Sequence, residues 1–157
     1  MEDVAARTQG RVAANGIELA YETFGDPGAP PAVLIMGLAT QMIAWPDELC
    51  EGLARRGLFV VRFGFRRQLA ASASQPNRTA DLRRITVPTL VIHGLHDPLV
   101  AASGGLAVAR AIPGSRFVGF SGMRHDLPRV LWPEFVREIA ALAAPGEQRS
   151  GPGPSAG

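Results

Sequence analysis

The fold of this chain is decided by a stretch in its second half, residues 87–99, which reads VPTLVIHGLHDPL. The run 89–92 is apolar and rich in β-branched residues, which is typical of a strand that is covered on both faces. Gly94 and Pro98 break the run, and we expect the strand to end in a loop that carries Asp97. Open α/β sheets place their chemistry just beyond the carboxyl ends of their strands. The stretch therefore predicts an α/β protein with an acid at its functional edge.

A second strand end with a functional side chain follows along the chain. Residues 116–120, RFVGF, predict a strand, and the next residues, SGMRHDLP at 121–128, contain His125. An acid after one strand and a histidine after the next are two members of a hydrolase triad. In such a triad the histidine takes the proton of the nucleophile, and the acid fixes the tautomer of the histidine.

The first half of the chain predicts a hairpin followed by strand, helix and strand, an order that implies a parallel crossover. Asn15-Gly16 is a strong signal for a two-residue hairpin turn. A helix is expected to have Pro46 at its first position and to end at Gly57 in the left-handed conformation. The predicted strands of this half are 11–14, 17–24, 32–36 and 58–63.

The remaining segments are less regular. Residues 68–74 predict a short helix, and Ser103 is expected to cap a helix that runs to Ile112. A final helix is predicted over 128–144, with Pro133 as an alternative start.

Length and composition predict one globular domain of an ordinary kind. The chain has 157 residues, a formal net charge of +2 and a single cysteine, Cys50, so that an internal disulfide is excluded. We assign residues 1–9 to a flexible tail, 10–144 to the domain, and the Gly-, Pro- and Ser-rich residues 145–157 to a disordered tail. The first residues lack the apolar segment of a signal peptide, and no run is long enough to span a membrane. We expect a cytoplasmic protein with no membrane association.

Two blocks of this sequence resemble the α/β-hydrolase superfamily, and most closely its esterase-like branch, which includes aclacinomycin methylesterase-type enzymes. The first block covers about 16–66 and the second about 67–143, so that together they span most of the chain. The motifs of the first block are VLIMGL at 33–38, IAWPDE at 43–48 and VVRF at 60–63. Those of the second are VPTLVIHG at 87–94, DPL at 97–99, IPG at 112–114, GM at 122–123 and HDLP at 125–128.

The resemblance implies a fold and a set of roles. The fold would be a three-layer α/β sandwich with a mostly parallel sheet, in shortened form. Asp97 matches the acid of the triad and His125 its base. Gly37 and Leu38 match the oxyanion-hole loop, in which the backbone amide of Leu38 would be one donor. The implied substrate is a small carboxylic ester or a related acyl compound, without a cofactor or a metal ion.

Two parts of the family pattern are missing from this sequence. The family has a G-x-S-x-G nucleophile elbow after the strand that matches 58–63, and most members have a helical cap before the strand of the acid. Neither is present, and the two blocks are interpreted as joined by an internal deletion near 64–67. We hypothesise that the sheet closes by pairing 32–36 with 89–93. The pattern leaves the nucleophile unknown.

Several other residues carry a hydroxyl or thiol group, and none fits the position of the missing nucleophile. Ser103 lies in an A-x-S-x-G match but follows the loop of the acid rather than a strand. Ser72 and Ser74 lack a strand-to-helix turn, and Ser121 is interpreted as a loop residue. Cys50 is interpreted as a buried structural thiol. His93 is interpreted as a packing residue and His96 as a surface residue.

Three functions follow from these observations. The first is esterase-type acyl hydrolysis, impaired because a nucleophilic serine is not evident. The second is a non-catalytic pseudoenzyme or deletion product that acts as a binding module, with self-association through an exposed sheet edge. The third, nucleic-acid binding by an arginine-rich window, is not expected, and we interpret that window as a solvated face. Its members are Arg55, Arg56, Arg62, Arg66, Arg67, Arg78, Arg83 and Arg84.

Overall fold

The computed structural model of the chain describes residues 7–14, 17–37, 42–64 and 79–144. The strands are β1 (Arg7–Ala14), β2 (Ile17–Phe24), β3 (Pro31–Leu34), β4 (Phe59–Gly64), β5 (Leu90–Gly94) and β6 (Arg116–Phe120). The α-helices are α1 (Asp47–Ala54), α2 (Thr79–Leu82), α3 (Ala102–Ala111) and α4 (Trp132–Ala143). Short 3-10 helices span Met42–Ala44 and Arg129–Leu131. The predicted helix 68–74 and most of the expected deletion junction lie outside the described residues.

The predicted hairpin is present and longer than expected. β1 and β2 pair antiparallel, and Ala14 lies opposite Ile17, so that two residues connect the strands. The ladder continues to Arg7 opposite Phe24. Residues 7–9, assigned to the tail from the sequence, thus belong to β1, because the whole length of β2 is available to pair with them.

The strands form two sheets rather than one. The first has the order β1-β2-β4-β3 and the second consists of β5 and β6. The β3–β4 and β5–β6 pairs are parallel, whereas β1–β2 and β2–β4 are antiparallel. The expectation of a mostly parallel sheet is therefore wrong in part, because the N-terminal hairpin contributes antiparallel pairs.

The hypothesised pairing of 32–36 with 89–93 is also wrong. Among the described residues, β3 pairs with β4 and β5 pairs with β6, and no ladder joins β3 to β5. The two sheets meet through side chains instead. Leu90 and Ile92 of β5 pack against the core cluster that contains Leu34 of β3. Packing of apolar side chains thus connects the two strands without shared hydrogen bonds.

One apolar core extends across both sheets. Helix α1 contributes Leu49 and Leu53, which are fully buried, and α4 contributes Phe135. The ring of Phe135 meets that of Phe120 on β6 edge to face, with 5.0 Å between the ring centroids. Helix α4 therefore packs against both the first half and the second half of the chain.

The ends of the helices follow the sequence closely, with two exceptions. Gly57 has a φ of 81°, the left-handed conformation predicted for it. Pro46, however, precedes α1 as its N-cap, with extended backbone. Ser103 does not cap α3, because the N-cap is Ala101 and no side chain caps the helix. Pro133 lies in the first turn of α4.

Arg62 is the main correction to the arginine-rich window. Its side chain is buried on β4 and forms ion pairs with Glu22 of β2 and Asp47 of α1. Its guanidinium also lies 5.0 Å from the centre of the Phe24 ring. Arg7 adds hydrogen bonds of 3.0 Å to Glu22 and 2.6 Å to Asp47. Arg62 is thus a structural residue, whereas Arg55, Arg56, Arg83 and Arg84 are exposed, and Arg66, Arg67 and Arg78 lie outside the described residues.

Candidate active site

The loops that follow β5 and β6 bring Asp97 and His125 together. β5 and β6 are neighbouring parallel strands, so that both loops leave the same edge of the sheet. The Nδ1 atom of His125 lies 2.6 Å from Oδ2 of Asp97. The Asp97 side chain is 3% exposed and that of His125 is 14% exposed. The pair is therefore shielded from water on the acid side and accessible on the histidine side.

The hydrogen bond between them fixes the state of the histidine ring. Because a carboxylate only accepts hydrogen bonds, Nδ1 of His125 carries the proton in this pair. In the neutral ring, the lone pair that can accept a proton then lies on Nε2. This is the tautomer that a general base requires if it takes a proton from a nucleophile on its Nε2 side.

The carboxylate of Asp97 is held by its own loop. Its Oδ1 accepts hydrogen bonds from the backbone amides of Leu99, at 2.8 Å, and Val100, at 3.0 Å. Burial alone would raise the pKa of Asp97, but the Val100 amide, the His125 ring and the Leu99 amide together lower it to about 2. Asp97 is therefore ionised at neutral pH and available to stabilise a positively charged His125.

Besides the bond between His125 and Asp97, further hydrogen bonds hold the loop after β5 against the end of β6 and the loop that follows it. The amide of Leu95 donates to the carbonyl of Phe120 at 3.0 Å, and that of His96 donates to Met123 at 3.1 Å. The amide of Gly122 donates to Nδ1 of His96 at 3.1 Å. His96 is exposed, as predicted, but it also binds the neighbouring loop. Nothing in the local sequence indicates this bond, because its donor lies on a different loop.

The backbone of Gly94, at the end of β5, lies close to the backbone of the loop that carries His125. A Cβ atom placed on Gly94 would lie 2.1 Å from the carbonyl oxygen of Arg124 and 2.5 Å from that of Met123. A side chain at Gly94 would therefore collide with the backbone that carries His125. The absence of a side chain at this position allows the two loops to lie against each other.

Gly37 of the predicted oxyanion loop lies beside the His125 ring, on the side away from Asp97. Gly37 follows β3, and a Cβ atom placed on it would lie 3.0 Å from both Cε1 and Nε2 of His125. The backbone of Gly37 thus lies beside the nitrogen that would act as the base. Leu38, whose amide is the predicted donor, lies outside the described residues.

The structure also locates some of the residues weighed as nucleophiles. Cys50 is fully buried in α1, and burial raises the pKa of its thiol to about 11, which agrees with a structural role. Ser103 is exposed within the first turn of α3, and a loop separates it from the end of β5. Ser121 is exposed next to the end of β6. Ser72 and Ser74 lie outside the described residues.

The described ranges contain neither a metal-binding cluster nor a membrane-spanning helix. Within 7–14, 17–37, 42–64 and 79–144, no group of three or more metal-binding side chains is close enough together to hold an ion. None of the helices in these ranges combines the length and the apolar character that crossing a membrane requires.

Comparison with known proteins gives a short sequence match and a wide structural match. No family model matches the chain. Over 50 residues the chain is 42% identical to the rhodomycin D methylesterase of a Streptomyces species, a match that covers 32% of this chain and 17% of that enzyme. The matched segment is thus well under two thirds of the length of that relative.

Solved structures align over most of the chain at low identity. A bromoperoxidase from Bacillus anthracis aligns over 87% of this chain and 99% of its own, with a TM-score of 0.65 and 13% identity. An esterase from a Rhodococcus species aligns over the same shares of the two chains, with a TM-score of 0.61 and 13% identity. The chain therefore has an α/β-hydrolase-like fold in shortened form, as the sequence resemblance implied.

Proposed function

We propose that this chain is an esterase-type acyl hydrolase with impaired activity, in which Asp97 and His125 form the acid–base pair. The observation that carries the proposal is the 2.6 Å bond between Nδ1 of His125 and Oδ2 of Asp97. It leaves Nε2 as the basic nitrogen on the side of the ring where Gly37 lies. The sequence match to a methylesterase makes a small carboxylic ester, such as a methyl ester, the substrate class to test first.

In the proposed reaction, His125 accepts a proton from water at Nε2 while the water oxygen attacks the ester carbonyl. The positive charge on the ring is stabilised by the Asp97 carboxylate. The loop of Gly37 and Leu38 would face the developing oxyanion, and the Leu38 amide is the donor that the family pattern implies. His125 then returns the proton to the leaving alkoxide, which yields the acid and the alcohol.

The expected activity is low because water, rather than a serine of the chain, acts as the nucleophile in this scheme. A serine-hydrolase site without its complete triad retains roughly 10³- to 10⁴-fold catalysis over water. We attribute the missing nucleophile to an internal deletion near 64–67, the position where the family pattern is interrupted. A serine of this chain that reacts with a fluorophosphonate probe would replace water as the nucleophile in this scheme.

The test is hydrolysis of p-nitrophenyl acetate by the purified, folded chain and by a His125→Ala variant. General base catalysis contributes on the order of 10²-fold or more, so the variant is expected to lose that factor in kcat. Arg110→Ala, an exposed change on α3, is the control and should keep the rate of the natural chain. Hydrolysis that His125→Ala leaves unchanged would contradict the proposal.

The alternative is a non-catalytic binding module, and the edge of the first sheet is the observation that favours it. β3 is the last strand of that sheet, and the neighbouring apolar side chains Val33 and Ile35 are 58% and 69% exposed. An exposed strand edge of this kind can pair with a second copy of the chain. A folded chain that forms dimers, hydrolyses no ester and binds no fluorophosphonate would support this alternative over the hydrolase.

A further inference from the structure

His93 lies near the end of β5, and its ring contacts the loop that carries Asp97. Its Nε2 atom is 3.0 Å from the carbonyl oxygen of Val100. Because a carbonyl oxygen only accepts hydrogen bonds, Nε2 must carry the proton and His93 is the donor. The side chain is 11% exposed, so water competes little for this bond.

This hydrogen bond holds the residue whose backbone amide binds Asp97. While the carbonyl of Val100 accepts from His93, the amide of Val100 donates to Oδ1 of Asp97 at 3.0 Å. Nε2 of His93 also lies 3.8 Å from Oδ2 of Asp97, the oxygen that binds His125. The His93 ring therefore lies near Oδ2 of the acid without a hydrogen bond to it, and it is linked to Oδ1 through the backbone of Val100.

The surroundings of His93 determine the orientation of its ring. A Cβ atom placed on Gly105 of α3 would lie 2.5 Å from Nδ1 of His93, so that the ring fits only because residue 105 has no side chain. On β6, the Phe117 ring is stacked with it, with 6.4 Å between the centroids and 27° between the planes. With these contacts on the Nδ1 edge and the face of the ring, Nε2 points to Val100.

We propose that His93 is a positioning residue, which holds the backbone of Val100 at its carbonyl so that the amide of the same residue fixes Asp97 opposite His125. The sequence pattern predicts only a packing role for His93, because the residue that it binds lies seven positions away in an irregular loop. The consequence for catalysis rests on the proposed function. The positioning of the acid loop does not, and it can be measured in an inactive protein.

The test compares His93→Phe, which keeps a ring without a donor, with His93→Gln, which keeps a donor near the position of Nε2. A lost neutral hydrogen bond changes a local opening equilibrium by roughly five- to tenfold. We therefore expect amide exchange at Leu99 and Val100 to rise by about that factor in His93→Phe and to return to the original rate in His93→Gln. For ester hydrolysis, we expect kcat to fall in the first variant with KM unchanged, and to recover in the second.

Two further measurements keep the test decisive if His93→Phe does not fold. Nitrogen-15 spectra of the unmodified chain should show the proton of neutral His93 on Nε2, and a proton on Nδ1 would overturn the proposal. Gly105→Ala should raise Val100 exchange by displacing the ring, whereas Gly52→Ala, in α1, should not.

The failure of this proposal and the failure of the proposed function give different results. If the unmodified chain hydrolyses no ester, the proposed function fails, but the exchange rates still decide the role of His93. Equal Val100 exchange in His93→Phe and the unmodified chain would overturn the positioning role, as would a His93→Gln variant that exchanges as fast as His93→Phe.

Discussion

The Asp97 carboxylate is stabilised by neighbours that bind its ionised form more strongly than its protonated form. Two backbone amides and the His125 ring lower its pKa from the usual 3.8 to about 2. A group with a lowered pKa in the folded state stabilises the fold above its unfolded pKa, and this contribution is lost as the pH falls through the folded value. The contribution of Asp97 should therefore be complete above about pH 5 and disappear between about pH 4 and pH 2.

Asp97→Asn tests this dependence. At pH 7 the variant should have a free energy of unfolding about 2 kcal/mol lower than the unmodified chain, because hydrogen bonds to a charged group are lost. The difference should shrink as the pH falls from 4 to 2, as measured by urea unfolding at several pH values. Asp81→Asn, at an exposed position, is the control and should differ little at any pH. A difference that stays constant down to pH 2 would contradict the interpretation.

Individual side chains were predictable from the sequence only where a local pattern places them. Asp97 and His125 were found because each follows an apolar strand and a break. The bonds of His93 and His96 were missed because their partners belong to irregular loops, whose backbone path the sequence does not specify. Arg62 was assigned to an exposed face, since a charged residue in a strand is usually exposed unless buried partners pair with it.

At the scale of elements, the loops that carry Asp97 and His125 meet at the end of β5. Gly94 is buried there, and the carbonyl oxygens of Met123 and Arg124 lie where its side chain would be. These are backbone atoms, so that relief of the clash requires the loop of His125 to move. The contact is thus a direct link between a strand end and the position of the histidine.

Gly94→Ala should lower the free energy of unfolding by about 2 kcal/mol, the usual cost of forcing an extra carbon into a packed site. It should also weaken the bond between His125 and Asp97, which is observable as loss of the low-field Nδ1 proton signal of His125. Gly28→Ala, at an exposed turn where the nearest atom would be 3.4 Å from the new carbon, should change stability by less than about 0.5 kcal/mol. Unchanged stability and an unchanged proton signal in Gly94→Ala would show that the loops separate freely.

The regular elements, the hairpin and the parallel pairing of β3 with β4 were predictable from the sequence, whereas the division of the strands into two sheets was not. The strand 116–120 has the bounds expected from the sequence, because an apolar run and a turn residue define it. The arrangement in two sheets depends on which strand edges meet across the whole chain. Alternation of apolar residues shows which face of a strand is buried, but it does not identify the neighbour at its edge.

At the scale of the molecule, one core serves two separate sheets. Phe135 of α4 is fully buried and contacts Phe120 of β6, while it belongs to the same cluster as Leu49 and Leu53 of α1. Among the described residues, packing of apolar side chains therefore connects the two halves of the chain. Since an apolar core resists local opening, we expect both sheets to unfold together.

The two tryptophans allow this expectation to be measured. Trp45 is buried beside Arg62 in the first half, and Trp132 begins α4. Urea unfolding of Trp45→Phe and Trp132→Phe variants, followed by the fluorescence of the remaining tryptophan, should give coincident transitions. Phe135→Ala should lower the free energy of unfolding obtained from both transitions by about 3–5 kcal/mol, the usual cost of truncating a buried phenylalanine to alanine. Phe135→Leu should lower both values by less. Different urea midpoints for the two single-tryptophan variants would mean that the two sheets fold independently. An effect of Phe135→Ala on the transition of only one tryptophan would mean the same.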